Sequence, residues 1–571
     1  MPAVAAAQPE FARTFLKPAD TFDDWVAVEP YYRELTERPV ADLADFEKWL
    51  MDWSELDSAF EEEGTSRHVA MTCATDDVER EKRFLHFLEN VRPHREPWHD
   101  LLRRRYIELV TKLAPPAKRY EVLTRSVRGG IEIFREENIP LQIEDDKLKQ
   151  HYQKITGAMT VTYRGQEMTL QQIGRYLEEP ERGVREESWR LANDRFQKDA
   201  PDLDKIYHQM IGLRHHMAQN ADCRDFREYA FKAMERFDYR PEDCIAFHDA
   251  IERVCVPAVA ELAEQRKRKL GVTTLRPWDT AVDPDGRPPL RPFERDEQLV
   301  DGCARIFQKV NRELGGVFDI MRQRDMLDLG SRKGKAPGGY QACFDERRMP
   351  FIFMNAVGTE GDVRTLLHEG GHAFHTWACR SDPLLAYRHY PIEFAEVASM
   401  GMECLSLPHL EEFYGPESNR ARRRFFVEIV NFFPYMARVD AFQHYVYTNV
   451  EHDMERRKDE WQKLTRRFAP HLDVSGLEEV DRHSWQRKLH FFEAPFYYIE
   501  YGIAQLGALQ VWVNSKRDYE QAVAFYRNGL ALGGSRPLPE LFEAAGCKFD
   551  FSEQTLRPLI DELMDEIARL R

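Results

Sequence analysis

Apolar residues recur at three- and four-residue intervals over residues 31–59, 78–114, 241–270, 296–314, 422–455 and 538–570, a spacing that predicts amphipathic helices and a mainly α protein. Strict alternation is rare. It occurs over 159–169, where it flanks Arg164-Gly165 like a hairpin, and in two short runs, 339–344 and 350–355, separated by Asp345-Glu346-Arg347-Arg348. The second pair predicts a small β-hairpin just ahead of a helix that carries most of the chemistry. Pro- and Gly-rich residues 282–292 read as a surface excursion and 334–339 as a loop. No internal repeat or low-complexity tract interrupts this pattern.

A chain of 571 residues exceeds what one small core organises, so more than one lobe is expected: residues 1–200 as an N-terminal helical lobe and 201–571 as the catalytic region. The formal charge of -17 opposes nucleic acid and anionic membrane surfaces as partners. Nine scattered cysteines with no Cys-x-x-Cys pair read as reduced thiols of a cytoplasmic protein. Residues 1–18 hold a short Ala run without a basic leader, which argues against a secretory signal, and no apolar stretch approaches the ~20 residues needed to span a bilayer. The sequence sets no oligomeric state.

His368-Glu369-Gly370-Gly371-His372 is a His-Glu-x-x-His motif. On a helix its two imidazoles project from one face toward a common ion. Thr359 and Asp362 resemble a capping box, and Val363, Leu366, Leu367, Phe374 and Trp377 form an apolar stripe beyond them. The glycine pair weakens this helix by about 1 kcal/mol per residue, so packing must compensate or another backbone must come close. Chance supplies such a motif about 0.06 times in a chain of this composition, and the bland alternative is two histidines on an ordinary helix. A catalytic zinc takes three protein ligands and keeps a position for water. Glu393, Glu396 and Glu403 are the candidates for the third ligand, and spacing alone does not choose among them.

The blocks Gly358-Thr359-Glu360-Gly361-Asp362 through His375, Phe394-Ala395-Glu396-Val397-Ala398-Ser399, Val439 through His444, Phe496 through Tyr501 and Leu532-Gly533-Gly534-Ser535 resemble, in order, the zinc oligopeptidase family of oligoendopeptidase F and thimet oligopeptidase. The oligoendopeptidase F and Pz-peptidase-like branch is the nearest. Gly370 departs from the family, where a larger residue is usual. The resemblance implies one zinc ion per chain held by His368, His372 and Glu396, and two helical lobes flanking a deep cleft that admits short peptides and excludes folded proteins. It also implies that Tyr501 and His490 donate to the developing oxyanion, with Tyr497 and Tyr498 as alternatives because the tyrosine register varies among members.

Glu369, beside a ligand on the same helix, is placed to act as general base. His375 is excluded as a fourth ligand because the site must keep water, while Glu403, or else Asp362 or Glu393, is a candidate for orienting a ligand imidazole. Gly338, Gly339 and Tyr340 are candidates for an exposed strand edge that pairs with the substrate backbone. Rival readings are a zinc carboxypeptidase on a similar scaffold and a catalytically idle peptide-binding protein.

Overall fold

The structure, a computed structural model, describes residues 11–570. The first ten residues of the 1–18 segment, read above as arguing against a secretory signal, therefore lie outside the described residues. The fold is mainly helical with two small sheets. Internal packing divides the chain into two units. One comprises the described residues through Ile131 with Leu290–Ala421 and Gly507–Phe549; the other comprises Glu132–Pro289, Arg422–Leu506 and the chain from Asp550. Among the described residues no helix is long and apolar enough to cross a membrane, and no disulfide joins any of the nine cysteines.

In the first unit, the single helix expected over 31–59 is two, Trp25–Glu37 and Leu43–Thr72. Pro39 lacks an N–H and restricts the residue before it, which stops the first helix. Asp42 then caps the second by accepting from the Ala44 and Asp45 N–H groups. These helices bury an aromatic core of Phe46, Trp49, Tyr106 and Tyr120. The expected hairpin is present as strands β4 (Tyr340–Phe344) and β5 (Met349–Ala356), in a three-stranded sheet of order β3-β5-β4 whose parallel member β3 (Leu327–Gly330) the sequence pattern did not signal. Central β5 is buried along nearly all its length, as a strand covered on both faces should be. Strand β4 is an edge. Three helices of this unit matter below: α2 (Glu360–Cys379), α3 (Ile392–Ser406) and α6 (Tyr519–Ala531).

In the second unit, β1 (Thr160–Tyr163) and β2 (Gln166–Thr169) form the expected hairpin. Arg164 and Gly165 both take positive φ, the conformation a two-residue hairpin loop requires. Helix α1 (Pro241–Leu270) brings Cys244 and His248 beside Asp440 and His444 of α4 (Ser418–Thr448), and helix α5 begins at Tyr498 and runs to Arg517.

Candidate active site

Thr359 caps α2 as its sequence suggested: the Thr359 hydroxyl accepts from the Asp362 N–H at 3.3 Å, and Asp362 accepts from the Thr359 and Val357 N–H groups at 2.8 and 2.9 Å. Asp362 is thereby committed to the helix start and does not orient a ligand. The glycine pair is explained by close approach. A methyl group on Gly371 would fall 2.5 Å from the Ala398 carbonyl oxygen and 2.6 Å from Ser399 Cα, and one on Gly370 would meet the Phe307 ring at 2.5 Å. Helix α2 therefore rests directly on the backbone of α3. Behind α3, the Tyr526 hydroxyl of α6 donates to the same Ala398 carbonyl at 2.6 Å. Gly533 and Gly534 fit against the carbonyls of Tyr387 and His389, where a Cβ would lie 2.1 and 2.0 Å away.

This packing gathers His368, His372 and Glu396 so that their donor atoms all lie within 4.8 Å of one another. Glu396 Oε2 is 3.3 Å from His368 Nε2 and 3.8 Å from His372 Nε2. Each remaining group is oriented by a partner. His368 Nδ1 lies 2.7 Å from Glu403 Oε1, Arg364 donates to the other Glu403 oxygen, and His372 donates to the Ala395 carbonyl. Ser399 donates to Glu396 Oε2 at 3.0 Å. Both Nε2 atoms face the Glu396 carboxylate, and two imidazoles with one carboxylate are a donor set that fits zinc. His375 is fully buried, stacked on Tyr390 at 3.4 Å, and is not part of this group.

Burial lowers His372 to about 4, while Glu396 is held down at about 2 because the His368 and His372 imidazoles outweigh the effect of burial. Glu369 lies one residue from His368, 7% exposed, and burial pushes its carboxyl up to about 7 against the attraction of His368 and a backbone N–H from Gln341 of β4. The edge strand thus reaches the proposed base. Gly338 has φ +98°, a conformation that needs glycine, and Asn355 donates to its carbonyl at 2.9 Å. The Tyr340 ring stacks on Phe353 at 4.8 Å and its hydroxyl pairs with Thr72 at 2.6 Å, which leaves its main chain on the β4 edge.

In the second unit His490, Tyr497, Tyr498 and Tyr501 form one ring cluster. His490 lies 6.0, 5.0 and 6.1 Å from the three tyrosine rings in that order. Tyr498 is buried at 6% exposure, whereas Tyr497, Tyr501 and His490 are half-buried. The turn before α5 is held by groups that sequence reasoning missed. Arg236, buried, donates to the Phe496 carbonyl and to Glu500 at 2.8 Å, Gln443 accepts from the Phe496 N–H, and Arg214 donates to the Phe491 carbonyl at 3.0 Å. They fix Phe496 at φ +65°, a left-handed conformation that a bulky residue rarely adopts. Arg214 and Arg236 sit in ordinary helical or loop sequence and carry no local signal, but Gln443 lies inside a block that resembles the family.

A second group of ligating types, Cys244, Asp440 and His444, is buried beside His248. Here His248 Nε2 bonds Asp440 Oδ2 at 2.9 Å, and Arg227 lies 3.2 Å from His444 Nδ1. The pattern is that of a buried polar network joining α1 to α4.

A sequence profile described as peptidase family M3 matches residues 175–559. Oligopeptidase PepF of Bacillus subtilis (strain 168) is 24% identical over 286 residues, 48% of this chain and 42% of the relative. The oligoendopeptidase F homolog of Lactococcus lactis subsp. lactis (strain IL1403) is 24% identical over 43% of this chain and 41% of its own length. The aligned stretch thus spans less than half the length of these curated relatives. A solved structure of Pz peptidase A with an inhibitor superposes with a TM-score of 0.87 at 25% identity, covering 97% of this chain and 99% of that one.

Proposed function

The chain belongs to peptidase family M3, and from that premise we propose that it is a zinc metalloendopeptidase that hydrolyses internal bonds of short peptides. One observation carries the reading: His368, His372 and Glu396 converge within 4.8 Å, with Glu369 buried beside them. Zinc bound by these three residues would supply an acidified water and an electrophile for the carbonyl oxygen. Glu369 takes the proton from water on its carboxylate and returns it to the leaving amine. Glu403 and the Ala395 carbonyl hold the two imidazoles in the tautomer that binds. Tyr501 and His490 donate to the oxyanion. The Gly338-Gly339 backbone and edge strand β4 align the substrate main chain.

The test is mass spectrometry of products from a mixed peptide library, with and without chelator. Internal cleavage abolished by chelator and restored by zinc is expected. Release of single C-terminal residues alone would favour a carboxypeptidase, and no turnover with intact metal binding would favour a peptide-binding protein.

A further inference from the structure

A cavity of about 310 Å³, lined by α1, α4 and the segments that flank them, lies wholly within the second unit, and the proposed chemistry does not use it. Val259 and Leu262 of α1, Val427 of α4, and Leu275, Phe468 and Leu472 give it apolar walls. Set into these walls are Arg266, Lys269, Arg423 and Arg438. Among the described residues no Asp or Glu lines the cavity, although the chain carries 98 acidic residues against 81 Lys and Arg. Its volume falls at the lower end of the range that small-molecule sites occupy.

Lys269 is matched by Asp285 at 2.8 Å. Arg266 and Arg438 are not: among the described residues neither has a carboxylate within ion-pair distance. Arg266 commits Nε to the Asp279 carbonyl at 2.7 Å and Nη2 to the Val282 carbonyl. Arg438 makes one hydrogen bond, from Nη1 to the Thr465 hydroxyl at 3.2 Å, out of the five N–H groups a guanidinium offers. Its Nε is buried without a partner, and its guanidinium lies 4.3 Å from the centre of the Trp461 ring. His471 Nδ1, on another lining residue, is also buried without a partner. Burial draws Arg266 down to about 10 against the pull of Asp283, and lowers Arg438 against Tyr435 and Asp481. Burial, then Arg438, takes His471 to about 4, so this imidazole is neutral. Arginines without an acid occur elsewhere, as at Arg348 and Arg487. Here two of them, with two unpartnered nitrogens, line one cavity that has room for a ligand.

Water in the cavity would solvate the guanidinium groups but not the walls; an apolar molecule would cover the walls and leave the charges desolvated. An occupant with an anionic head and an apolar body satisfies both. We propose that the cavity is a binding site for a small organic anion, a carboxylate or phosphate on an apolar body, its head held by Arg438 and His471 with Arg266 as the second cation. A guanidinium fork suits either head. The proposal does not rest on the peptidase reading, and its test reads binding rather than turnover.

The test is isothermal titration calorimetry of the full, zinc-loaded chain with 3-(2-naphthyl)propionate, its carboxamide, 2-naphthyl phosphate and acetate. At least one naphthyl anion should bind roughly 10- to 100-fold more tightly than the carboxamide, the margin of a charge-assisted hydrogen bond. Acetate, which lacks the body, should bind at least roughly tenfold more weakly than the naphthyl carboxylate. The tighter naphthyl anion identifies the head group. In Arg438→Met the naphthyl anions and the carboxamide should bind alike, and Arg438→Lys should restore part of the preference. Val427→Phe keeps every cation but fills the space, so it should abolish binding of the naphthyl probes, with a thermal midpoint showing that the protein is folded. No preference for anion over carboxamide in the wild type overturns the proposal by itself. So does anion binding that survives in Arg438→Met and Val427→Phe, which would place the probe elsewhere, at the zinc included.

Discussion

Tyr501 is half-buried in a ring cluster and carries one hydroxyl whose role can be isolated. Tyr501→Phe should lower kcat about 10²- to 10³-fold with KM, zinc content and thermal midpoint nearly unchanged, because a transition-state donor contributes only as charge develops. Steady-state kinetics with elemental analysis and calorimetry checks this; a normal kcat would pass the role to Tyr497, Tyr498 or His490. At the metal, Glu369→Gln should keep zinc and lose turnover, whereas Glu396→Ala should lose both. Glu403→Gln should weaken zinc binding by about 10- to 100-fold, since Glu403 only orients His368. The motif made His368, Glu369 and His372 legible in sequence, and Glu396 became so through its block. Glu403 was indistinguishable there from Glu393 because what separates them is direction, not spacing: Glu403 meets His368, two turns of α3 beyond Glu396.

Helix α2 meets α3 where Gly371 lies on Ala398 and Ser399. A methyl at Gly371 pushes backbone against backbone, so Gly371→Ala should destabilise by roughly 1–3 kcal/mol and loosen zinc binding with it. Denaturant melts and zinc titration measure the two together. The sequence showed that two glycines weaken a helix and that something must compensate; it could not show that the compensation was close approach, because the partner segment lies some 27 residues onward in the chain by the residue numbers. Elements with strong periodicity were legible in general position, and their breaks less so. Strand β3 was missed because four residues, Leu327–Gly330, are too short for an alternation to stand out, and its pairing with β5 is decided by the sheet. In the second unit, Asp440 lies between His248 and His444. Removing its charge with Asp440→Ala leaves two buried imidazoles unmatched, and should cost about 3–5 kcal/mol by the same melts.

For the molecule as a whole, acid should act through histidines buried in their neutral form. His452 is 4% exposed; its Nδ1 lies 2.6 Å from the Asn449 carbonyl and its Nε2 accepts from Arg457 at 2.9 Å, so both nitrogens are used by the neutral ring. Burial, then Arg457, lowers it to about 4. A lowered base binds fewer protons folded than unfolded, so stability rises with pH across this window. The contribution is present above the unfolded value of about 6.5 and is lost as pH falls toward about 4. His452→Gln should flatten the fall of the thermal midpoint between those limits, measured against the wild type at equal zinc loading. At the same scale the proposed length limit predicts that short unstructured peptides are cut while denatured casein resists, which a gel and product spectra decide. That limit rests on the family resemblance alone, since no periodicity in one chain encodes the width of a channel. The glycine seat of α2 carries a last consequence. A joint of backbone on backbone holds no side-chain rotamer to readjust and no void to squeeze out, so it has almost no compressibility of its own. Under hydrostatic pressure the spacing of the three ligands should stay constant until the protein unfolds, and zinc should be released in one step rather than by gradual weakening.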